Sequence, residues 1–360
     1  MPQQGALATS RGETGGQAGA SRAVRAWLVA VAALVFAMVM VGGATRLTES
    51  GLSITQWRPL TGVIPPLSQA DWAEEFQRYK QIPQYSALNA DMTLEGFKTI
   101  YFWEWSHRLL ARLIGAAFVL PALWFWRRGR FRGPLGRQIA VATGLLALEP
   151  IVGWWMVSSG LAERTEVAQD RLALHLLIAA ATFGALIYAA VGLAKRPRES
   201  AGAGFVAAAG ALVALIFCQL GLGALVAGLR AGLIDNTWPL MDGKLIPAGL
   251  FGLTPWPRSI VDDVTTVQFD HRLVAYAVVA AALAHAFAAR RRAPRTSLAR
   301  RAGVLAALAI LQAAVGIATL ILVAPIEFAL AHQAVALLLF GMAVAHWRVT
   351  GMERAGETAR

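Results

Sequence analysis

Residues 103–125 read WEWSHRLLARLIGAAFVLPALWF, and residues 267–289 read VQFDHRLVAYAVVAAALAHAFAA. Each is an apolar run long enough to cross a bilayer, which takes ~20 residues of helix, and each carries the phrase His-Arg-Leu near its start. The recurrence places His107 and His271 164 residues apart and points to a chain built from two related halves. Six further apolar stretches, centred near residues 35, 147, 182, 216, 312 and 339, bring the expected spans to eight. The expected fold class is all-α integral membrane, with eight transmembrane helices as two pseudo-symmetric four-helix bundles.

The 360 residues are 57% hydrophobic and 15% charged, which excludes an ordinary soluble globular domain. The net charge of +12 does not read as a nucleic-acid surface, because the basic residues follow the spans and form no polar face with interleaved aromatics. Twenty of the 33 Lys and Arg residues fall at Arg11, Arg22 and Arg25, in the runs 127–137, 195–198 and 290–301, and at Arg348, Arg354 and Arg360; residues 45–106 carry five. With eight spans the first group shares one side, and the positive-inside bias assigns that side, with both termini, to the cytoplasm.

Residues 1–24, rich in Gly, Ser, Ala and Gln, are expected to form a disordered cytoplasmic tail. Residues 25–194 form the first bundle. Its large outer loop, 45–106, has Gly and Pro punctuation and then aromatics mixed with charges at helical spacing, so short amphipathic helices should cap the membrane face. Residues 195–202 are a cytoplasmic linker, 203–348 the second bundle with an outer loop at 230–268, and 349–360 a cytoplasmic tail. TQWRPLTG (55–62) against NTWPLMDG (236–243), and PIVGWWMV (150–157) against AAVGIATL (313–320), recur in the same order, which makes the repeat parallel. The single Cys218 permits no intrachain disulfide and reads as a small packed hydrophobe.

Four of the six histidines match between halves: His107 with His271 at the start of each bundle's second helix, and His175 with His332 near the start of the fourth. In an antiparallel bundle these two helices run the same way across the core, so imidazoles at equal depth can bind one metal axially. A lone histidine near a helix end is more often an anchor or a satisfied core residue. The paired placement favours ligands, because four unpartnered polar groups in lipid are costly. Zinc lacks further ligands at that depth in the second half, whereas a bis-histidine haem needs two per site, so all four are expected haem-iron ligands. His285 and His346 each stand 14 residues beyond a proposed ligand, ~21 Å deeper along a helix rising ~1.5 Å per residue. An inner haem and two boundary histidines are both open readings.

The phrases GGATRLTESGLSITQWRPLTGVIPP, WEWSHRLLARLIG and GWWMVSSGL, with RLALHL, FDHRL and AHQAVA, resemble the haem A synthases of the Cox15/CtaA family over nearly the whole chain beyond the tail. The resemblance implies a haem-dependent membrane oxidoreductase that oxidises the C8 methyl of haem O to the formyl of haem A for cytochrome oxidase assembly. It implies haem O as substrate at His107 and His175, and haem B as cofactor at His271 and His332. The implied setting is the cytoplasmic (inner) membrane of a bacterium, among membrane lipid. The implied partners are the haem O synthase, an electron donor and, as a further option, a second copy in a homo-oligomer. Glu149 and Pro150 depart from the Gln and Gly of the family pattern.

The residues add an asymmetry of their own. Glu104 stands three before His107 where Gln268 stands three before His271, so only the first pair has an ionisable group at that position. A carboxyl there can stabilise positive charge or pass protons, making Glu104 the expected catalytic residue; a structural ion pair is the alternative. Arg46, Arg108 and Arg272 are candidate partners for haem propionates, or else snorkel to headgroups. Trp57, Trp72, Trp103 and Trp105 read as an interfacial belt and cap packing. Glu149, inside the third span, should be neutralised, paired or wet. Two other classes stay open: a b-type cytochrome for electron transfer, and a haem transporter or chaperone.

Overall fold

The computed structural model of the chain describes residues 4–59, 61–194 and 201–355, with side chains over 21–59, 61–194 and 201–351. The helices are α1 (Gln4–Leu47), α2 (Gln69–Tyr79), α3 (Pro83–Leu88), α4 (Leu94–Arg127), α5 (Pro134–Ser158), α6 (Gln169–Gly192), α7 (Ala203–Gly228), α8 (Ser259–Asp262), α9 (Val264–Arg292), α10 (Ser297–Ile321) and α11 (Ile326–Ala355). All but α2, α3 and α8 contain stretches long and apolar enough to span a membrane, giving the eight spans read from hydropathy. No strand forms among the described residues beyond an isolated bridge between Met241 and Lys244.

Local chemistry sets many of the boundaries. Thr93, Asp263 and Thr296 accept the first free N–H groups of α4, α9 and α10 from Gly96, Thr266 and Ala299, and Pro134 opens α5, where its missing N–H costs nothing. Past the end of α4, Gly129 takes φ +64°, and its N–H caps the carbonyl of Trp126 at 2.8 Å. At the other end of the chain, α1 is helical from Gln4, where composition predicted an irregular tail to residue 24. Its membrane-like part begins only at Ser21, and an established helix extends at little cost. Most of the linker expected at 195–202, and the last five residues of the C-terminal tail, lie outside the described residues.

In the second half α7 packs on α9 and α11, and α10 on α9 and α11, which closes a ring of four. In the first half α1 packs on α4 and α6, and α5 on α6, but α4 and α5 make at most a glancing contact. The first ring is therefore open on one side. The halves meet through α6 against α7 and α11, and α1 against α11. At that seam the contacts are reciprocal: a Cβ on Gly184 would stand 2.9 Å from Phe340, and one on Gly341 2.7 Å from Phe183. Cys218 lies on the exposed side of α7, not in the packed interior that its apolar neighbours suggested.

The segment between α1 and α4 is a folded cap. Ser68 and Asp71 form a reciprocal capping box that starts α2, and α2 lays Trp72, Phe76 and Tyr79 on Phe97, Ile100 and Tyr101 of α4. Phe76 stacks on Phe97 at 5.0 Å, and Trp72 meets Tyr101 edge-on at 5.0 Å. Burial pushes the Tyr79 phenol up to about 12, so it stays neutral as it accepts from Asn89. This aromatic cluster explains why α4 begins at Leu94, well inside the stretch expected to be loop.

Candidate functional site

The four matched histidines sit on α4 (His107), α6 (His175), α9 (His271) and α11 (His332). None is at a helix start: His107 is more than three turns into α4 because the cap extends that helix backwards, and the others are more than a turn in. Each ring lies against a glycine of a neighbouring helix. A Cβ on Gly42 would stand 3.1 Å from His107 Nε2, one on Gly153 3.2 Å from His175 Cε1, one on Gly223 3.3 Å from His271 Cε1, and one on Gly316 2.6 Å from His332 Cε1. The missing side chains let an imidazole settle between two helices.

Four residues before three of these glycines, a polar side chain reaches the same ring. Gln219 Nε2 is 3.0 Å from His271 Nδ1, and Gln312 Nε2 is 3.0 Å from His332 Nδ1. Glu149 Oε2 is 2.7 Å from His175 Nδ1. Met38 holds the matching place before Gly42. Sequence reasoning singled out Glu149 and missed Gln219, Gln312 and the glycines. Their signal is a Gln or Glu four residues before Gly, at matched positions only for Glu149 and Gln312, which in Ala-rich helices looks like ordinary packing.

The residues fit an axially bound metal. The rings of His271 and His332 have centres 6.4 Å apart at 73°, and two imidazoles sharing an ion at ~2.0–2.1 Å metal–nitrogen bonds have centres about 6 Å apart. Around the two pairs, Glu149 Oε1, His175 Nδ1, Gln219 Oε1 and Gln312 Oε1 are buried without an aligned hydrogen-bond partner, as expected of sites that a further group completes. His285 and His346 differ. They are 7% and 1% exposed, and they touch directly, Nε2 to Nε2 at 2.9 Å, with Phe205 stacked on His285 at 4.2 Å. Axial binding to one ion needs about 4 Å between those nitrogens, and at 2.9 Å the two rings instead share a hydrogen bond.

Beside each pair's first histidine the same anchor is built twice. Glu104, 3% exposed, accepts on Oε2 from Ser53 Oγ (2.8 Å) and the Ile54 N–H (2.7 Å), and on Oε1 from Arg108 Nε (3.1 Å) and Nη2 (2.6 Å). Arg108 also donates to the carbonyls of Ile54 (2.9 Å) and Gln56 (3.1 Å). Gln268, 2% exposed, donates to the carbonyls of Ala231 (2.6 Å) and Ile234 (2.7 Å) and accepts from Arg272 (3.0 Å). Arg272 donates to the carbonyls of Asp235 (2.6 Å) and Thr237 (2.8 Å). Each arginine thus reads the start of one matched phrase, TQWRPLTG or NTWPLMDG. The exchange of Glu for Gln follows what each loop offers, N–H and O–H donors in the first half and carbonyls in the second.

Arg46 pairs with Glu166 at 2.5 Å and donates to the carbonyl of Ala227 (3.2 Å), and Arg230 pairs with both Glu166 and Glu49. This cluster ties the end of α1 to the α5–α6 loop and the end of α7. All three arginines considered for propionates are therefore engaged with protein, although Arg46 Nε and Arg272 Nε remain buried and unpartnered. Of the tryptophans, Trp72 is buried in the cap, Trp105 donates to the Val63 carbonyl, and Trp57 and Trp103 are exposed.

Gly316 gives a direct check of the close approach. The Gly316→Ala substitution should displace His332 and lower the haem recovered with the purified protein, because its Cβ would fall 2.6 Å from the ring; unchanged haem content and visible spectrum would show that the contact is not part of a ligand site.

Fold and site together define a multi-pass helical membrane protein with paired histidines suited to axial haem ligation. A family of cytochrome oxidase assembly proteins, COX15-CtaA, matches residues 25–344, and the chain belongs to it. It is similar to the heme A synthase of Mesorhizobium japonicum, 53% identical over 327 residues (91% of this chain, 90% of the relative), and to that of Rhodopseudomonas palustris strain BisA53, 54% identical over 326 residues (90% of each). The heme A synthase of Beijerinckia indica is 51% identical over 357 residues, 97% of this chain and 98% of the relative.

Proposed function

We propose that this chain is a haem A synthase, a membrane oxidoreductase that converts the C8 methyl of haem O to the formyl of haem A for cytochrome oxidase assembly. Relatives of that name align over nine-tenths of its length at about half identity. The observation that carries the reading is the doubled histidine pair, each ring set against a glycine, on helices that pass through the membrane.

The two pairs take different roles. The pair His271–His332 holds haem B, a permanent cofactor that supplies one-electron chemistry, within the closed ring of α7, α9, α10 and α11. The pair His107–His175 takes haem O. Support comes from the open side between α4 and α5, which gives a lipid-borne substrate lateral access from the bilayer, whereas the second ring offers none. Glu104 keeps a carboxylate one turn from His107, where it balances positive charge and positions the loop over the substrate. The reciprocal Phe–Gly contacts at the seam and the duplicated Arg–loop anchors support two parallel bundles related by an axis along the membrane normal.

The cap faces the outside of a bacterial cytoplasmic membrane, and both termini face the cytoplasm, on the strength of the basic runs near 127–137 and 290–301. Reporter fusions at Arg295 and Ala87 should report inside and outside respectively; reversed activities would overturn this orientation. The function is tested by expressing the chain in a host that makes haem O but lacks its own synthase, then separating the haems by chromatography. Haem A should appear. Folded, haem-loaded protein with haem B alone would instead indicate an electron-transfer cytochrome.

A further inference from the structure

The ligand pairs differ in what stands behind them. At the second site both histidines have the same kind of neighbour, a donating amide nitrogen beside the ring: Gln219 Nε2 is 3.0 Å from His271 Nδ1 and 3.4 Å from its Nε2, and Gln312 Nε2 is 3.0 Å from His332 Nδ1 and 3.2 Å from its Nε2. At the first site the support is uneven. His175 has the carboxylate of Glu149 at 2.7 Å from Nδ1, while the matching place beside His107 is Met38, a thioether with no hydrogen to give and little power to accept one. His107 is also turned differently, presenting Nε2 to the glycine of the facing helix where the other three present Cε1. Glu149 has no other aligned partner: its Oε1 is buried and unsatisfied, as is His175 Nδ1, which lies 2.7 Å from Oε2. Pro150 follows directly, yet α5 runs unbroken through it, so the carboxylate is held on a continuous helix.

We propose that Glu149 is a positioning residue that makes His175 the firm axial ligand of the substrate haem and leaves His107 as the exchangeable one. The physical basis is the outer-shell effect: a carboxylate that accepts the distant N–H of a metal-bound imidazole fixes its tautomer and orientation and raises its donor strength, and loss of such a partner commonly costs about 10–100-fold in affinity. The amide nitrogens at the second site can only donate and accept no N–H, and a thioether accepts almost none. An iron bound firmly from one side only keeps its other face available to a small molecule, which suits a site where the bound haem is itself oxidised. The second site, with equivalent neighbours on both sides, suits a haem that carries electrons and stays put. The inference rests on His107 and His175 being haem ligands, and its test separates the two ideas.

Purified holoprotein is titrated with haem B added as hemin, and the haem bound beyond the resident one is followed. His107→Ala should keep this extra haem and His175→Ala should lose it. In reduced His107→Ala protein the first-site iron has histidine on one side only, so its iron–histidine stretching band reads the donor strength of His175, while the six-coordinate second site is silent in that band. Adding Glu149→Gln should lower the frequency of that band with haem still bound, and Glu149→Ala should weaken haem binding about 10–100-fold. A band unmoved by Glu149→Gln, in protein that binds the extra haem through His175, overturns the role of Glu149. Equal loss of haem in His107→Ala and His175→Ala overturns the asymmetry. Unchanged binding in both overturns the site assignment, and the proposal with it.

Discussion

Protein carrying His271→Ala, or His332→Ala, should come out of the membrane without the low-spin haem B proposed for that pair. Each substitution would remove half of the proposed axial pair, whose ring centres are 6.4 Å apart. The remaining amide partner, Gln219 or Gln312, lacks a nitrogen lone pair to offer iron. His285→Ala and His346→Ala serve as controls, since those rings bond to each other, and Phe205 stacks on His285 and meets His346 edge-on. They should leave the low-spin spectrum intact. A bis-histidine spectrum that survives both His271→Ala and His332→Ala would mean that the ligands lie elsewhere; a spectral component lost with His285 or His346 would restore the inner-haem reading.

Glu104→Gln should keep haem B and lower haem A formation, about 100- to 10,000-fold if the carboxylate takes part in proton transfer or charge balance at the first site. The structure adds a second route to a defect. With an amide at 104, an N–H must face either Arg108 or the Ile54 N–H and Ser53 hydroxyl, all of them donors, and a buried donor left unsatisfied costs about 1–3 kcal/mol. Ser53→Ala separates the routes, because it loosens the same loop while leaving the carboxylate in place. The expected result is a small loss with Ser53→Ala and a large one with Glu104→Gln, measured as the ratio of haem A to haem O at equal haem B. Equal losses would assign Glu104 to loop anchoring alone, and a wild-type ratio in Glu104→Gln would remove it from both roles.

The comparison of Glu104 with Gln268 also marks where sequence reading stops. That the two differ in ionisability is visible in the letters, but that each answers the donors or acceptors of a loop about 35 to 50 residues away is not. By itself the sequence determined the eight spans, the phrases that recur between its halves, the four matched histidines and the helical cap. Hydropathy over some 20 residues is a local sum, and a phrase such as His-Arg-Leu recurs whatever its surroundings. Only the tertiary structure decided which glycine each imidazole meets, that Glu149 lies behind His175 where Gln312 lies behind His332, that the inner histidines close on each other, and that α9 packs on α10 while α4 stands off α5. Those facts depend on how each helix is rotated about its own axis. A spanning helix that is apolar all round carries almost no periodic contrast to reveal that rotation, so it is fixed by close packing with neighbours far away in the chain.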